Sequence, residues 1–358
     1  MGGYLSGDAA PLRAVASVRR PVAMTERTGE GRADMAAVVI GRNEGARLEA
    51  ALRSVEAAGL RVVYADSGSS DGSPDTAIRL GVPVVELDPK TPFSAGRGRN
   101  EGLEEAMRRW PEITYVLFLD GDCTLDPRFP SAAVATFDEH ADCAIVTGHL
   151  SERFPERSIY NRLCAIEWRS RVGRIEDMRI GGIMIARISA FRAVGGFKPE
   201  VIAGEEPDLA ARLGRAGFTL YRIDAAMAVH DANILSFGEW WKRAVRGGHG
   251  VAQLYDRHRR TDSPLGVREV RSAIFWGFVL PLLTVALLWP TRGLSLFLLG
   301  GYGLLGWRIF KHYSATDLSR SDAWLVTRFM LYSKFAEFFG ILRYVFQAPT
   351  QTVSRQRF

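Results

Sequence analysis

This sequence predicts an α/β fold: a mostly parallel, Rossmann-like sheet with helices on both faces, followed by apolar and amphipathic helices towards the C-terminus. Three observations carry the prediction. Short β-rich runs alternate with helical patterns from Met35 onward, polar turn-forming clusters follow several of those runs directly, and the stretch from Ala273 to Phe310 is mostly apolar. A βαβα rhythm implies parallel strands joined by crossover helices. Ligands of such sheets bind beyond the carboxyl ends of the strands, so what each strand ends on is informative.

Met35–Ile40 reads as a buried strand and Glu44–Ala58 as a helix. Val62–Ala65 is the second strand, with a helix following through Ile78; Val82–Leu87 is the third, followed by a helix over Arg97–Arg109. Tyr115–Leu119 is the fourth and runs into Asp120. The first strand ends on Gly41-Arg42-Asn43-Glu44, the second on Asp66-Ser67-Gly68-Ser69-Ser70-Asp71-Gly72, and the fourth on Asp120-Gly121-Asp122. Turns need Gly, Asp and Ser in any fold. That need does not account for strong acids directly after two strands.

The 358 residues divide into a tail, a globular domain and a membrane part. Residues 1–34 are rich in Gly, Ala and Arg and lack the apolar run of about 7–15 residues that a signal peptide needs, so a disordered tail is expected. The globular domain spans 35–255, and a basic linker with Arg257, His258, Arg259 and Arg260 spans 256–272. Within the membrane-associated region 273–358, the runs 273–289 and 294–310 read as a helical hairpin. Residues 324–346 form a third helix, amphipathic or spanning, interrupted by Arg328, Lys334, Glu337 and Arg343. The net charge of +6 fits an anionic membrane or a phosphate-bearing substrate, and no nucleic acid is expected. Arg268 and Arg271 precede the hairpin and Arg308 and Lys311 follow it, which sets both flanks on the cytoplasmic side of an inner membrane. Three scattered cysteines, Cys123, Cys143 and Cys164, give no disulfide framework and agree with a reducing compartment.

Six constellations are candidates for chemistry or binding. Asp120 and Asp122, one residue apart after an apolar strand, suit a hard divalent cation that also holds substrate phosphates. Asp66 opens a Ser/Gly loop whose N–H groups and following helix suit a ribose and phosphates, while Asp71 or Ser73 serves as helix cap. Glu205, Glu206 and Asp208 crowd one turn before a helical pattern; adjacent like charges raise each other's pKa, as a general base requires. His230, beside Asp231, is a candidate metal or phosphate ligand. Arg97 and Arg99 at a helix start oppose the dipole and so point to an anion. Trp240, Trp241 and Arg246 lie on an amphipathic stretch before the hairpin, where they anchor at the interface or guide a lipid-linked acceptor.

Together these residues resemble the inverting family 2 glycosyltransferases of GT-A fold, from about Met35 to Gly250. Arg42-Asn43-Glu44 is similar to the family's first nucleotide-binding turn, Asp66-Ser67-Gly68 to its base- or ribose-contacting loop, and Arg99-Asn100-Glu101-Gly102 to its Arg-Asn-x-Gly helix start. Asp120-Gly121-Asp122 matches its metal motif, and Gly181-Gly182 its acceptor-side glycine turn. Glu205-Glu206 stands where the family has Glu-Asp, the second being the base; His230 matches its late metal histidine. The resemblance implies a UDP- or GDP-sugar donor, Mg2+ or Mn2+, a saccharide or lipid-linked acceptor, and Glu206 as base with Glu205 or Asp208 orienting the acceptor. The Gln-x-x-Arg-Trp pattern of processive synthases is absent, which implies transfer of one sugar. Two rivals are a sugar-nucleotide nucleotidylyltransferase, whose Gly-rich basic loop is poorly matched by Gly41-Arg42-Asn43-Glu44, and a non-catalytic membrane-anchored binding subunit.

Overall fold

The computed structural model describes residues 33–176 and 180–347. Most of the expected tail, and the end of the 273–358 region, lie outside them. The chain runs β1 (Met35–Gly41), α1 (Ala46–Ala57), β2 (Arg61–Asp66), α2 (Ser73–Arg79), β3 (Val84–Glu86), α3 (Ala95–Arg109) and β4 (Tyr115–Asp120). There follow β5 (Cys123–Leu125), α4 (Phe129–Glu139), β6 (Cys143–Glu152), α5 (Ile159–Glu167), β7 (Gly173–Arg174), β8 (Met184–Arg187) and α6 (Ile188–Ala193). The chain continues through α7 (Glu205–Arg215), β9 (Thr219–His230), α8 (Phe237–His258), α9 (Val267–Ile274), α10 (Leu280–Ala286), α11 (Gly300–Ser314) and α12 (Arg320–Gln347).

The described strands form one sheet in the order β3-β2-β1-β4-β8-β6-β9-β5, with β7 on β9. Strands β1, β2, β3, β4, β6 and β9 run one way; β5, β7 and β8 run against them. The expected mostly parallel α/β sheet is therefore present, with antiparallel β8 set into it. Because side chains alternate along a strand, β1 feeds two cores. Met35, Ala37 and Val39 pack towards α1, and Ala36, Val38 and Ile40 towards α3. Burial on both faces is why β1 reads as an unbroken apolar run. Gly102 is required where α3 crosses β1, since a Cβ there would overlap the Val38 side chain.

Register decides where the motifs fall. Ile40 pairs with Asp120 and Gly41 with Asp66, so both aspartates finish at the same edge. The antiparallel β4–β8 pairing brings the turn before Met184 back to Asp120. In the β5–β9 pairing Cys123 stands opposite His230, which carries Asp122 to the histidine.

The C-terminal helices differ from the sequence expectation in three ways. Regular helix enters the expected 256–272 linker from both sides, because α8 continues to His258 and α9 begins at Val267. A capping box at Ser236 and Glu239 starts α8 firmly. The third helix has a protein partner: α12 packs along α8, and its Lys334 and Glu337 form a buried ion pair of 3.1 Å. Trp240 points neither to a lipid nor to an acceptor. It is buried against Phe329 of α12, with ring centroids 4.8 Å apart, and Trp241 lies 6.2 Å from Phe339. The apolar face of α8 thus meets α12.

Residues Val267–Ala286 form a continuous helix, passing through a π-helical turn at Phe275–Val279, and are long and apolar enough to cross a membrane. A turn over 287–293 leads to a 3₁₀ segment, Leu294–Leu299, and then α11. Trp289 (92%), Phe297 (82%) and Val285 (71%) stand exposed on this hairpin.

Candidate active site

The nucleotide-side edge is built by two loops tied together. Asp66 is buried, and its carboxylate accepts from the Gly68 and Ser69 N–H groups (2.9 and 2.8 Å) and from the Tyr64 hydroxyl (2.7 Å). Asn43, in a left-handed conformation (φ 60°), accepts from the Ser70 N–H at 2.7 Å, while its own N–H donates to Ser69 Oγ at 2.9 Å. Asp71 accepts from the Gly45 N–H and from the N–H and hydroxyl of Ser73, so it both holds the first N–H of α2, whose cap position is Gly72, and joins the loops. The Ser67 N–H donates to the Gly41 carbonyl. Phe93 lies against Gly68, and the Arg42 guanidinium sits 5.6 Å from the Phe93 ring centroid.

Behind these loops lies a carboxylate cluster. Glu44 crosses both Gly41 and Gly121, pairs with Arg47 at 2.7 Å, and is pushed up to about 7 by burial and by Asp122. The Gly121 N–H donates to the Ile40 carbonyl, which fixes the turn between the two aspartates. Asp122 Oδ2 lies 3.0 Å from His230 Nε2. Burial opposes charge on both. The mutual contact prevails, holding His230 above and Asp122 below their ordinary values. Trp168 covers the imidazole, with ring centroids 4.7 Å apart.

Arg99 is the hub of the site. It is 2% exposed and donates to Asp120 (2.9 Å), Glu205 (3.2 Å) and Glu206 (3.1 Å). Phe197 lies beneath it at 5.3 Å, and a Cβ on Gly182 would overlap its Nη2. The anion expected opposite this arginine is the protein's own acidic cluster. Glu205 and Glu206 open α7, where the helix dipole favours them. Burial, and then Glu205, push the Glu206 carboxyl well above the usual carboxylate range, against the pull of Arg99.

Three residues from the sequence reading sit elsewhere. Asp208 points away from Glu206 and is enclosed by Arg212 (2.8 Å), Arg257 (3.2 Å) and His258 (2.9 Å), so it clamps α7 onto α8. Two residues beyond Glu206 on the same helix, it faces another way, and two arginines and a histidine hold it there. Asn100 donates to the Phe197 carbonyl and accepts from the Phe197 N–H, which holds a backbone turn. Arg97 binds Glu101 and the carbonyls of Asp88 and Thr91, a structural anchor. Tyr64, Phe93 and Trp168 were absent from that reading. Only Tyr64 carried a signal: two residues before Asp66, it shares a face of β2 with it.

A nucleotide-binding sheet edge joined through one arginine to a carboxylate pair at a helix start defines a glycosyltransferase of GT-A fold. Residues 37–195 match the family described as glycosyl transferase family 2. It is 27% identical over 240 residues to the succinoglycan biosynthesis protein ExoA of Rhizobium meliloti (strain 1021), covering 61% of this chain and 68% of that protein. It is 25% identical over 248 residues to the pre-mycofactocin glycosyltransferase of Mycobacterium tuberculosis (strain ATCC 25618 / H37Rv), covering 66% of this chain but about half (51%) of that protein. The fold is similar to that of the mannosyltransferase PcManGT from Pyrobaculum calidifontis, solved with GDP-Man and Mn2+. The TM-score is 0.54 at 15% identity, over 89% of this chain and 88% of the other. The expected family and fold are borne out, and the chain is a glycosyltransferase rather than a nucleotidylyltransferase.

Proposed function

We propose that this enzyme transfers a single sugar from a UDP- or GDP-linked donor to an acceptor hydroxyl, with inversion and with a divalent metal, in cell-surface polysaccharide or glycolipid synthesis. The observation that carries the reading is Arg99, which ties the metal-motif Asp120 to the Glu205–Glu206 pair and so joins donor and acceptor halves in one cleft. The donor's nucleoside lies at the Asp66 loop, between Arg42, Asn43 and Phe93. Glu206 takes the proton from the acceptor hydroxyl as it attacks the anomeric carbon, and the raised pKa suits that task. Glu205 shares Arg99 with it and orients the acceptor.

The residues present fit Mg2+ or Mn2+. Ligand atoms of Asp122, Cys123 and His230 all lie within 4.8 Å of one another. Asp122 and His230 offer oxygen and nitrogen to such a cation, with Asp120 beside them. Cys123 is the poorest match of the three, because hard cations such as Mg2+ and Mn2+ prefer oxygen donors to a soft thiolate. When bound, the cation neutralises charge on the departing diphosphate. Asp122→Ala is expected to abolish metal-dependent nucleotide binding while the fold persists; calorimetric titration with a nucleoside diphosphate and Mn2+ tests it, and unchanged affinity sinks the assignment.

The exposed hairpin supports attachment to the inner membrane, with the catalytic domain in the cytoplasm. The purified full-length chain is expected to need detergent. If it is monodisperse in plain buffer by size-exclusion chromatography and light scattering, the membrane reading fails.

A further inference from the structure

His230 ends β9, and residues 231–236 carry the chain from it to α8. They form no helix or strand, yet two buried side chains fix their path. Glu152, the last residue of β6, is 7% exposed and stands opposite His230 in the parallel β6–β9 register. Its Oε2 accepts from the Ala232 N–H at 3.1 Å. Its Oε1 accepts from the Asn161 amide and from the Phe154 N–H, each at 3.1 Å. Asn161 is fully buried near the start of α5, and its Oδ1 accepts from the Ile234 N–H at 3.0 Å. Between the two anchored N–H groups lies Asn233, in a left-handed conformation (φ 45°). Outside glycine such a conformation costs free energy and persists where its neighbours impose it.

The same helix reaches the imidazole itself. Trp168, at the C-terminal cap of α5 and about two helical turns beyond Asn161, covers the His230 ring with centroids 4.7 Å apart. One helix therefore grips the histidine twice, by its ring and by the backbone that follows it. The backbone completes the hold: the Arg153 N–H donates to the His230 carbonyl at 2.8 Å, and the Asp231 N–H to the Asp122 carbonyl at 3.1 Å. Together these contacts aim the imidazole at Asp122 Oδ2, 3.0 Å from Nε2. A buried carboxylate that served the fold alone could stand anywhere along β6. This one is paired with the histidine and commits an oxygen to the second residue beyond it. We propose that Glu152 and Asn161 are positioning residues of the metal site, a carboxylate–amide pair that sets where His230 presents its imidazole to the cation. They act through His230 and touch neither cation nor substrate. The inference rests on the reading of His230 as a metal ligand.

The test measures the Mn2+ requirement of the full chain in detergent, by calorimetric titration with UDP or GDP over a series of Mn2+ concentrations, with thermal unfolding alongside. Glu152→Gln keeps the shape but turns an NH2 group towards either the Ala232 N–H or the Asn161 amide, so one arm of the pair is lost. It is expected to raise the Mn2+ requirement by about 10- to 100-fold, the usual effect of removing a group that orients a metal ligand. In a His230→Ala background the same change should add nothing, because residues that act through one ligand are not additive. Asp208→Asn, in the clamp between α7 and α8, should lower Tm and leave the Mn2+ requirement as in the parent. Should Glu152→Gln fail to fold, Ser158→Ala carries the test with a smaller loss in the same direction, since it removes the hydroxyl that donates to the Ile234 carbonyl at 2.6 Å and caps α5. The proposal is overturned if His230→Ala raises the Mn2+ requirement while Glu152→Gln, or Ser158→Ala in its place, does not. It is also overturned if the two losses simply add, or if Asp208→Asn raises the requirement as much at equal loss of Tm. A His230→Ala variant that needs no more Mn2+ than the parent would remove the metal assignment of His230 itself, and this inference with it.

Discussion

Replacing Glu206 by Gln is expected to lower turnover by about 10²–10⁴-fold, the usual contribution of a general base, with nucleotide and metal affinity unchanged. Gln keeps the length of the side chain, and its amide oxygen can still accept from Arg99, which now lies 3.1 Å from the carboxylate. What it loses is the ability to take a proton. The wild-type activity should rise with pH along an acid limb placed above that of an ordinary glutamate, because burial and Glu205 disfavour the charged form. That limb should be missing from the residual activity of the variant. The sign for stability is the reverse. A carboxyl whose folded pKa is raised favours the fold most below its unfolded value and loses that contribution as pH rises through the folded value. The Gln variant should therefore melt no lower than the parent at neutral pH, which separates lost chemistry from lost structure. Glu205→Gln should cost less. Asp208→Asn should act on stability, since its partners are Arg212, Arg257 and His258 and not a substrate. An active Glu206→Gln beside a dead Glu205→Gln would exchange the two roles.

The contrast between these acids shows what the sequence could and could not convey. The strands from β1 to β4, and the motifs that end three of them, were legible because apolar periodicity and turn chemistry are local. Parallel register then places Asp66 and Asp120 at one edge with no further information. The role of Arg99 was only half legible. A cation at a helix start announces an anion, but Glu205 and Glu206 lie more than a hundred residues downstream and reach it only because antiparallel β8 turns the chain back beside β4. Nothing local marks that insertion. Asp208 misled for a similar reason: three acids in one turn look alike, and what separates them is Arg257 and His258 from a segment that reads as a linker. Trp240 and Trp241 looked like interfacial aromatics because the helix they face, α12, carries charges, two of which neutralise each other inside the packing.

Arg99→Met should be the most damaging single change to the fold, at about 3–5 kcal/mol, the cost of removing one partner from a buried ionic cluster. For a domain of this size that corresponds to a fall in Tm of about 6–20 °C. The estimate follows from what remains. Asp120, Glu205 and Glu206 would face one another without the guanidinium that all three share. Met fills much of the space above Phe197 and below Gly182, so the loss is chiefly electrostatic rather than a cavity. Arg99→Lys should recover only part of it, because a single ammonium cannot span partners reached here by two different nitrogens. The deficit should also depend on pH in a definite direction. In the parent, Arg99 opposes the effect of burial and Glu205 on Glu206. Without it that carboxyl holds its proton to higher pH, and protonation relieves the repulsion. The variant should therefore be least stable, relative to the parent, on the alkaline side and should recover as pH falls. Thermal unfolding of both proteins across a pH series measures this. A pH-independent deficit would mean that Arg99 acts by packing alone, and no deficit at all would remove it from the centre of the site.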